Sequence, residues 1–98
     1  MFNKLKQIKD LREQANQLKK MLAQETVKGE AHGGKIIVIM DGNQEITAVD
    51  IASELFTPDK KKDVENGVRE AVQNAIREVQ KLMAKKMQQG EINLPNLL

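Results

Sequence analysis

Basic side chains near both ends of the chain are the residues whose type and spacing best suit a chemical task, which is the binding of phosphate. A lysine ammonium is a point charge, better suited to a phosphate oxygen than to bidentate reading of a base. Lys81 and Lys85 are four residues apart and share one helix face beside Met83 and Met87. One arginine among the candidates favours contact with a nucleic-acid backbone over sequence recognition. The candidates are Lys4, Lys6, Lys9, Arg12, Lys19, Lys20, Lys81, Lys85 and Lys86.

The charge of the chain is divided among three segments. Residues 1–24 carry six basic and two acidic side chains, residues 25–58 two and six, and residues 59–98 eight and six. The balances are +4, −4 and +2, so the net charge of +2 hides basic ends attached to an acidic middle. This segregation predicts a polyanionic partner. The plainer alternative is that the lysines form solvated faces of surface helices.

No catalytic or metal-binding constellation is predicted. His32 is the only histidine, there is no cysteine, and Ser53 is the only serine, without a histidine or lysine partner in a recognisable arrangement. Gly33-Gly34 does not open a helix after a strand, so a phosphate-binding loop is not supported. We therefore expect no enzyme activity, no cofactor, no metal and no small-molecule substrate.

Composition narrows the remaining classes of partner and compartment. Phe2 and Phe56 are the only aromatic residues, which disfavours a site built from base-stacking platforms. The longest apolar run, residues 36–40, is far too short to span a bilayer, and charged residues interrupt any apolar segment at the start. The lack of cysteine suits a reducing compartment. A cytoplasmic protein without membrane association is expected.

The elements that must position the basic residues are two long helices and a short strand region within a single domain of residues 1–98. Residues 1–24 show a narrow apolar stripe with heptad spacing, typical of a helix that packs against another helix. Residues 25–57 predict three strands and a connection. Residues 58–90 predict a helix with Thr57 as its N-cap and Gly90 as its stop. Residues 91–98 form an apolar tail.

The strand region has two glycine-containing turns. A hairpin over residues 26–40 turns at His32-Gly33-Gly34, and Asp41-Gly42-Asn43 leads into a third strand over residues 44–51. In that strand Ile46 has one parity while Val49 and Ile51 have the other. A bulge near Thr47–Ala48 is predicted, because strict alternation cannot place all three on one face.

The lengths of the elements favour a dimer. A helix of some thirty residues spans about 45 Å, whereas a strand of six or seven residues spans about 20–23 Å, so half of the second helix must extend past its own sheet. The free strand edge and sheet face could pair with a second copy. The alternative is a monomer in which both helices fold back as a hairpin over the sheet.

Four features occur in a characteristic order: the glycine-punctuated segment 27–38, the Asp41-Gly42 turn, the segment 46–60, and the segment 64–68 followed by Ala71, Asn74 and Ala75. In these features the sequence resembles the YbaB/EbfC nucleoid-associated proteins of bacteria, although Gly67 and Gln73 depart from that family's pattern. The resemblance implies an α+β fold, an α-β-β-β-α protomer with a three-stranded antiparallel sheet and two long helices. It also implies a tweezer-like homodimer whose helical arms bind duplex DNA in the nucleoid with little sequence preference, with effects on nucleoid organisation and gene expression.

Two functional hypotheses from different classes follow. The leading one is a nucleoid-associated protein whose basic arms clamp double-stranded DNA, with an affinity that falls steeply as salt increases. The alternative is a protein-interaction adaptor that uses the helix stripes and the leucine-rich tail, with Met21, Met83 and Met87 as adaptable contact surface. An amphipathic membrane-surface helix at the N-terminus is a weaker third reading.

Overall fold

The protomer is an α-β-β-β-α chain, as predicted. A computed structural model describes residues 2–92, with side chains from Lys4 onward. The apolar tail predicted for residues 91–98 lies outside the described residues after Ile92. Single 3₁₀ turns occur at His32–Gly34, Ser53–Leu55 and Pro58–Lys60. The helices and strands are α1 (Phe2–Ala23), β1 (Thr26–Ala31), β2 (Ile36–Asp41), β3 (Ile46–Ile51) and α2 (Lys61–Gln88).

The three strands form an antiparallel meander in the order β1-β2-β3. Strand β2 is the centre of the sheet and the best buried strand, because Ile36, Val38 and Met40 are at most 2% exposed. These three side chains share one face with Ala31 of β1, and α2 covers that face. The predicted fold class, α+β with a three-stranded antiparallel sheet and two long helices, is confirmed.

Strand β3 contains the predicted bulge. Ile39 pairs with Ala48 while the next residue, Met40, pairs with Ile46, so Thr47 is the extra residue of β3. Because residues paired across a sheet share a face, the bulge places Ile46, Val49 and Ile51 on the face that α2 covers elsewhere. Yet Ile46 and Val49 are about half exposed. Helix α2 packs against β1 and β2 instead of β3.

Helix α2 lies against the sheet at unusually short range. A Cβ atom added to Gly29 of β1 would collide with the backbone of Ala71 and Ala75. The two alanines are fully buried, and Asn74 Nδ2 donates a hydrogen bond of 2.9 Å to the Glu30 carbonyl oxygen. Gly67, one turn earlier in α2, also allows this close approach. The Ile36 side chain and the His32 ring occupy the space that a side chain at position 67 would fill.

Both ends of α2 differ in detail from a simple helix. The predicted start at Pro58 is a 3₁₀ turn, and the α-helix begins at Lys61. The side chain of Thr57 makes no capping bond to the backbone, and its hydrogen bond lowers the pKa of the Asp59 carboxyl instead. At the other end Gly90 has a φ of 72°, in the left-handed region favoured by glycine.

Helix α1 extends away from the rest of the protomer. Of its described side chains only Leu22 is buried, while Leu5 is 71% and Ile8 is 52% exposed. Within residues 2–92, α1 has no extended packing with α2 or with a strand. The chain is elongated as a result, with extents of 64 × 26 × 21 Å. The described residues therefore do not form the alternative predicted for a monomer, a helical hairpin folded over the sheet.

Candidate nucleic-acid interface

The turn between β2 and β3 holds the C-terminal end of α1. The Gly42 amide donates to the Leu22 carbonyl oxygen at 2.9 Å, and Asn43 Nδ2 donates to the Lys19 carbonyl oxygen at 3.0 Å. Both acceptors lie in the last turns of α1, where carbonyl groups lack partners within the helix. A Cβ on Gly42 would come within 2.7 Å of the Leu22 oxygen, so a glycine is required here for this approach.

A buried carboxylate shapes that turn. Asp41 is 5% exposed, and its Oδ1 accepts hydrogen bonds from the Asn43 amide at 2.8 Å and the Glu45 amide at 3.0 Å. A side chain that bonds the backbone two residues further on forms an Asx turn. Asp41 therefore fixes the direction of Asn43, which in turn bonds the end of α1.

The basic residues of α1 are free of acidic partners. Lys4, Lys6, Lys9, Arg12, Lys19 and Lys20 are all exposed, and none forms a salt bridge with another described residue. Lys9 and Lys20 are eleven residues apart, close to three full turns, and therefore lie on one side of the helix. This places uncompensated positive charge along about 30 Å of projecting helix.

The three basic residues near the end of α2 have different surroundings. The Lys81 Nζ lies 3.4 Å from Glu78 Oε1 in an exposed pair, which contributes little to stability. Lys85 is exposed and forms no salt bridge with the described residues. The spacing of Lys81 and Lys85 thus does place two accessible ammonium groups on one helix face.

Lys86 is enclosed between two carboxylates. Its Nζ lies 2.7 Å from Glu25 Oε1 and 3.1 Å from Glu91 Oε2, and its side chain is only 13% exposed. Hydrogen bonds to Glu25 and then to Glu91 raise the pKa of Lys86 above its ordinary value. The sequence-based prediction that Lys86 contacts DNA stays a prediction, but this ammonium already has two anionic partners.

Sequence reasoning missed Asn43 and Glu25 because their partners are far along the chain. The Asp41-Gly42-Asn43 turn was identified as a turn, and nothing in its composition shows that it also bonds α1. Glu25 and Lys86 are 61 positions apart, a separation at which spacing carries no signal. Glu91 is different, since a carboxylate just after a glycine stop falls close to a lysine in the last helical turn.

A second surface lies beside β3, and we call it the β3 trough. It consists of Ile46, Val49 and Ile51 on the strand and of the side of α2 that faces them. Asn74 marks the β1 side of α2, so Val72 and Ile76, two residues before and after it, lie on the opposite side. An open, mainly apolar groove of about 410 Å³ continues the trough between the Gly42–Gln44 turn and Met83 and Met87.

Other candidate chemistry is confined to single residues. His32 Nε2 lies 3.1 Å from the Asp63 carbonyl oxygen, which attaches the hairpin turn to the first turn of α2. Among the described side chains, no three of His, Asp or Glu come together in a way that could hold a metal ion. Over the same residues, neither helix is long and apolar enough to cross a membrane.

The fold and the projecting helix define a small α+β protein with a basic arm. The comparisons with known proteins identify its family: the model of the YbaB/EbfC DNA-binding family matches residues 1–92. The chain belongs to that family, which confirms the resemblance found in the sequence.

Relatives span nearly the whole chain. A nucleoid-associated protein of Desulforamulus reducens is 30% identical over 99 aligned positions, covering 99% of this chain and 94% of the relative. One of Syntrophobacter fumaroxidans is 29% identical and covers 98% and 89%. The crystal structure of uncharacterized protein HP0035 from Helicobacter pylori superposes with a TM-score of 0.64 at 15% identity, covering 87% of this chain and 98% of that one. At that identity it supports the fold alone.

Proposed function

We propose that this protein is a nucleoid-associated protein of bacteria that binds duplex DNA, as a homodimer, through basic helical arms. It does so with little sequence preference and thereby influences nucleoid organisation and gene expression. Contact with phosphates accounts for the binding, and no catalytic step is involved. The place of action is the nucleoid, within the cytoplasm.

The observation that carries this proposal is the free basic helix. Six basic side chains of α1 are exposed and unpaired among the described residues, on a helix that is attached to the body only at its C-terminal end. Lysine and arginine that neutralise phosphates release counterions, and this supplies affinity without reading bases. Lys81 and Lys85 add two accessible charges on α2. Residues 25–58 have a charge balance of −4, whereas residues 1–24, which include the arm, have a balance of +4.

The β3 trough supports the homodimer. The backbone N–H and C=O groups on the free side of an edge strand are a template for pairing with another chain, and the exposed apolar side chains of β3 favour covering that edge. The other edge, β1, carries the charged Lys28 and Glu30 and is bonded by Asn74. Antiparallel pairing of β3 with its copy across a two-fold axis would continue the sheet and cover Ile46 and Val49. Two α1 arms would then leave one body.

The test is electrophoretic mobility of random-sequence duplex DNA, titrated at low and at moderate salt. A Lys9→Gln, Arg12→Gln, Lys20→Gln variant of α1 is compared with a Lys28→Gln, Lys61→Gln, Lys62→Gln variant, which loses the same charge from the body. We expect salt-sensitive binding by the unchanged protein, with a log–log slope of about −0.9 for each phosphate neutralised. The α1 variant removes three charges from each chain and six from the dimer, so it should lose up to about 5.4 of that slope, and the body variant far less.

Two outcomes would overturn the proposal. Absence of a shift by the unchanged protein at low salt would exclude DNA binding of this kind. Equal loss in the two variants would show that net charge, and not the arm, determines binding. Competition with a second random duplex of different base composition measures sequence preference, which we expect to be small.

The exposed stripe of α1 favours the adaptor as the second candidate. Among the described large apolar side chains of that helix, Leu5 and Ile8 are the most exposed. If the stripe binds a protein, the Leu5→Gln, Ile8→Gln variant should lose binding of that protein, and the Lys9→Gln, Arg12→Gln, Lys20→Gln variant should keep it. If α1 is a DNA-binding arm, the triple variant should lose DNA binding and the double variant should keep it.

A further inference from the structure

The C-terminal end of α2 is built to present Lys86 to two carboxylates. The Gly90 amide bonds the Met87 carbonyl oxygen at 3.2 Å, and the Glu91 amide bonds the Lys86 carbonyl oxygen at 2.9 Å. These two bonds around a left-handed glycine form a Schellman motif, which reverses the chain. The reversal brings Glu91 back to Lys86 and buries Ile92, which is 4% exposed.

The second carboxylate belongs to the root of the arm. Glu25 lies between α1, which ends at Ala23, and β1, which begins at Thr26. Its amide bonds the Leu22 carbonyl oxygen at 3.1 Å, and its own carbonyl oxygen accepts from the Gly42 amide at 3.1 Å. The Lys86–Glu25 pair at 2.7 Å therefore links the end of α2 directly to the connection between α1 and β1.

Apart from this pair, the direction of α1 is set by the bonds of the β2–β3 turn to its last turns. Its contacts with the described body are concentrated in its last turns, at Lys19 and Leu22, and the side chains further out are exposed or half-buried. A helix about 33 Å long that is held only at one end magnifies any change of angle at that end. A tilt of about 10° at the root moves the far end by about 6 Å, which exceeds the axial spacing of about 3.4 Å between phosphates on one strand.

We propose that Lys86 is a positioning residue that braces α1 against α2 through Glu25 and Glu91, and does not bind phosphate itself. The ion pair holds the basic arm at one angle to the body, so that two arms of a dimer can engage one duplex together. The effect of the brace on DNA binding rests on the proposed function. The brace itself lies within one protomer and does not depend on that function.

The sign of the effect of Glu25 separates a brace from a phosphate contact. If Lys86 bound phosphate, Lys86→Gln would weaken DNA binding and Glu25→Ala, which removes one of the two carboxylates that hold the ammonium, would strengthen it. For a brace, both variants weaken binding and the double variant is no weaker than either single one. We expect a loss of about tenfold or more, since arms that cannot engage together lose part of an avidity gain of about 10²–10⁴.

Two matched variants complete the binding series. Lys85→Gln removes the same charge from the neighbouring exposed position, and should weaken binding by the loss of one phosphate contact only. Lys86→Arg keeps a cation that both carboxylates can hold, and should restore binding. Melting curves confirm that each variant is folded before its affinity is compared.

The angle of the arm is measured without DNA. The chain has no cysteine, so Gln14→Cys on α1 and Gln73→Cys on α2 provide unique sites for spin labels. Labelled protein is diluted into an excess of unlabelled protein, and electron–electron resonance then reports the distance within one chain. We expect a narrow distribution in the parent and in Lys86→Arg, and a broad one in Lys86→Gln and Glu25→Ala.

Each result decides a separate question. An unchanged distribution in folded Lys86→Gln, or tighter DNA binding by Glu25→Ala, would overturn the brace. If Lys86→Gln and Glu25→Ala broaden the distance distribution but the unchanged protein does not shift DNA, the proposed function is refuted and the brace is retained.

Discussion

The smallest residues of this protein set the distance between its helix and its sheet. Gly29, Ala71 and Ala75 bring the backbone of α2 directly onto β1, where no side chain separates them. Such a contact gains dispersion energy from many close atoms and buries little apolar area for each residue. The contact also cannot accept a larger side chain at Gly29, because the atoms opposite belong to the backbone of α2 and cannot rotate away.

Gly29→Ala is expected to destabilise the fold by about 2–3 kcal/mol or more, since the Cβ would meet the Ala71 and Ala75 backbone and force α2 outward. Chemical denaturation followed by circular dichroism measures the change. Lys28→Ala is the control on the same strand, where the side chain is exposed and its ion pair with Glu30 is a surface pair. A Gly29→Ala protein as stable as the control would show that α2 does not lie as close to β1 as described.

Glycine at position 29 could be predicted to belong to a hairpin, but its partner could not. In the sequence, Gly29 is only a residue that destabilises a strand. The backbone contact that requires a glycine there is made by Ala71, 42 residues further along the chain. The same limit applies to Lys86, which was grouped with Lys81 and Lys85 by charge and proximity. Only the Schellman motif and the position of Glu25 distinguish it from them.

Among the elements, β3 and α1 show what a sequence pattern predicts and what it leaves open. The parity of Ile46, Val49 and Ile51 requires a bulge within β3, and the extra residue is Thr47. For α1 the heptad stripe indicated a helix, which is present, and a helical partner, which no described element provides along its length. A stripe indicates only that some surface is to be covered, and it does not specify which.

The attachment of α1 to the β2–β3 turn is open to test at one side chain. Asn43→Ala removes the hydrogen bond to the Lys19 carbonyl oxygen, and should cost about 0.5–1.5 kcal/mol. Hydrogen exchange followed by NMR should show faster exchange of the amides in the last turn of α1, while the amides of β2 keep their protection. Glu45→Ala, on an exposed neighbouring side chain, is the control. Equal protection of α1 in both variants would exclude Asn43 as a cap.

The molecule as a whole separates two kinds of surface. The basic side chains of the projecting helix have no acidic partner among the described residues and lie beside the exposed Leu5 and Ile8, whereas the trough on the body carries apolar side chains without cover. The first surface suits a polyanion and the second suits a protein. The division agrees with a module in which association of the bodies places the arms, which is the arrangement proposed above.

Association through the trough predicts a dimer at twice the 11.0 kDa mass of one chain, measured by sedimentation equilibrium. Ile46→Lys with Val49→Lys should shift the protein toward monomers, because two charges would be buried without partners at the shared edge. Ala48→Lys is the matched control, since Ala48 pairs with Ile39 on the opposite face of the same strand. A double variant that remains dimeric would refute this interface.

In the proposed dimer, the open trough also connects the stability of the protein to its abundance. Among the described residues the core cluster has eight buried members, and in that dimer Ile46 and Val49 would gain burial from the second copy. A species that binds the folded state alone stabilises it by mass action, in proportion to the logarithm of its concentration. For a self-associating chain that species is the protein itself. Its melting temperature then rises with concentration, and a cell that makes more of it also keeps a larger fraction of it folded and protected from proteases.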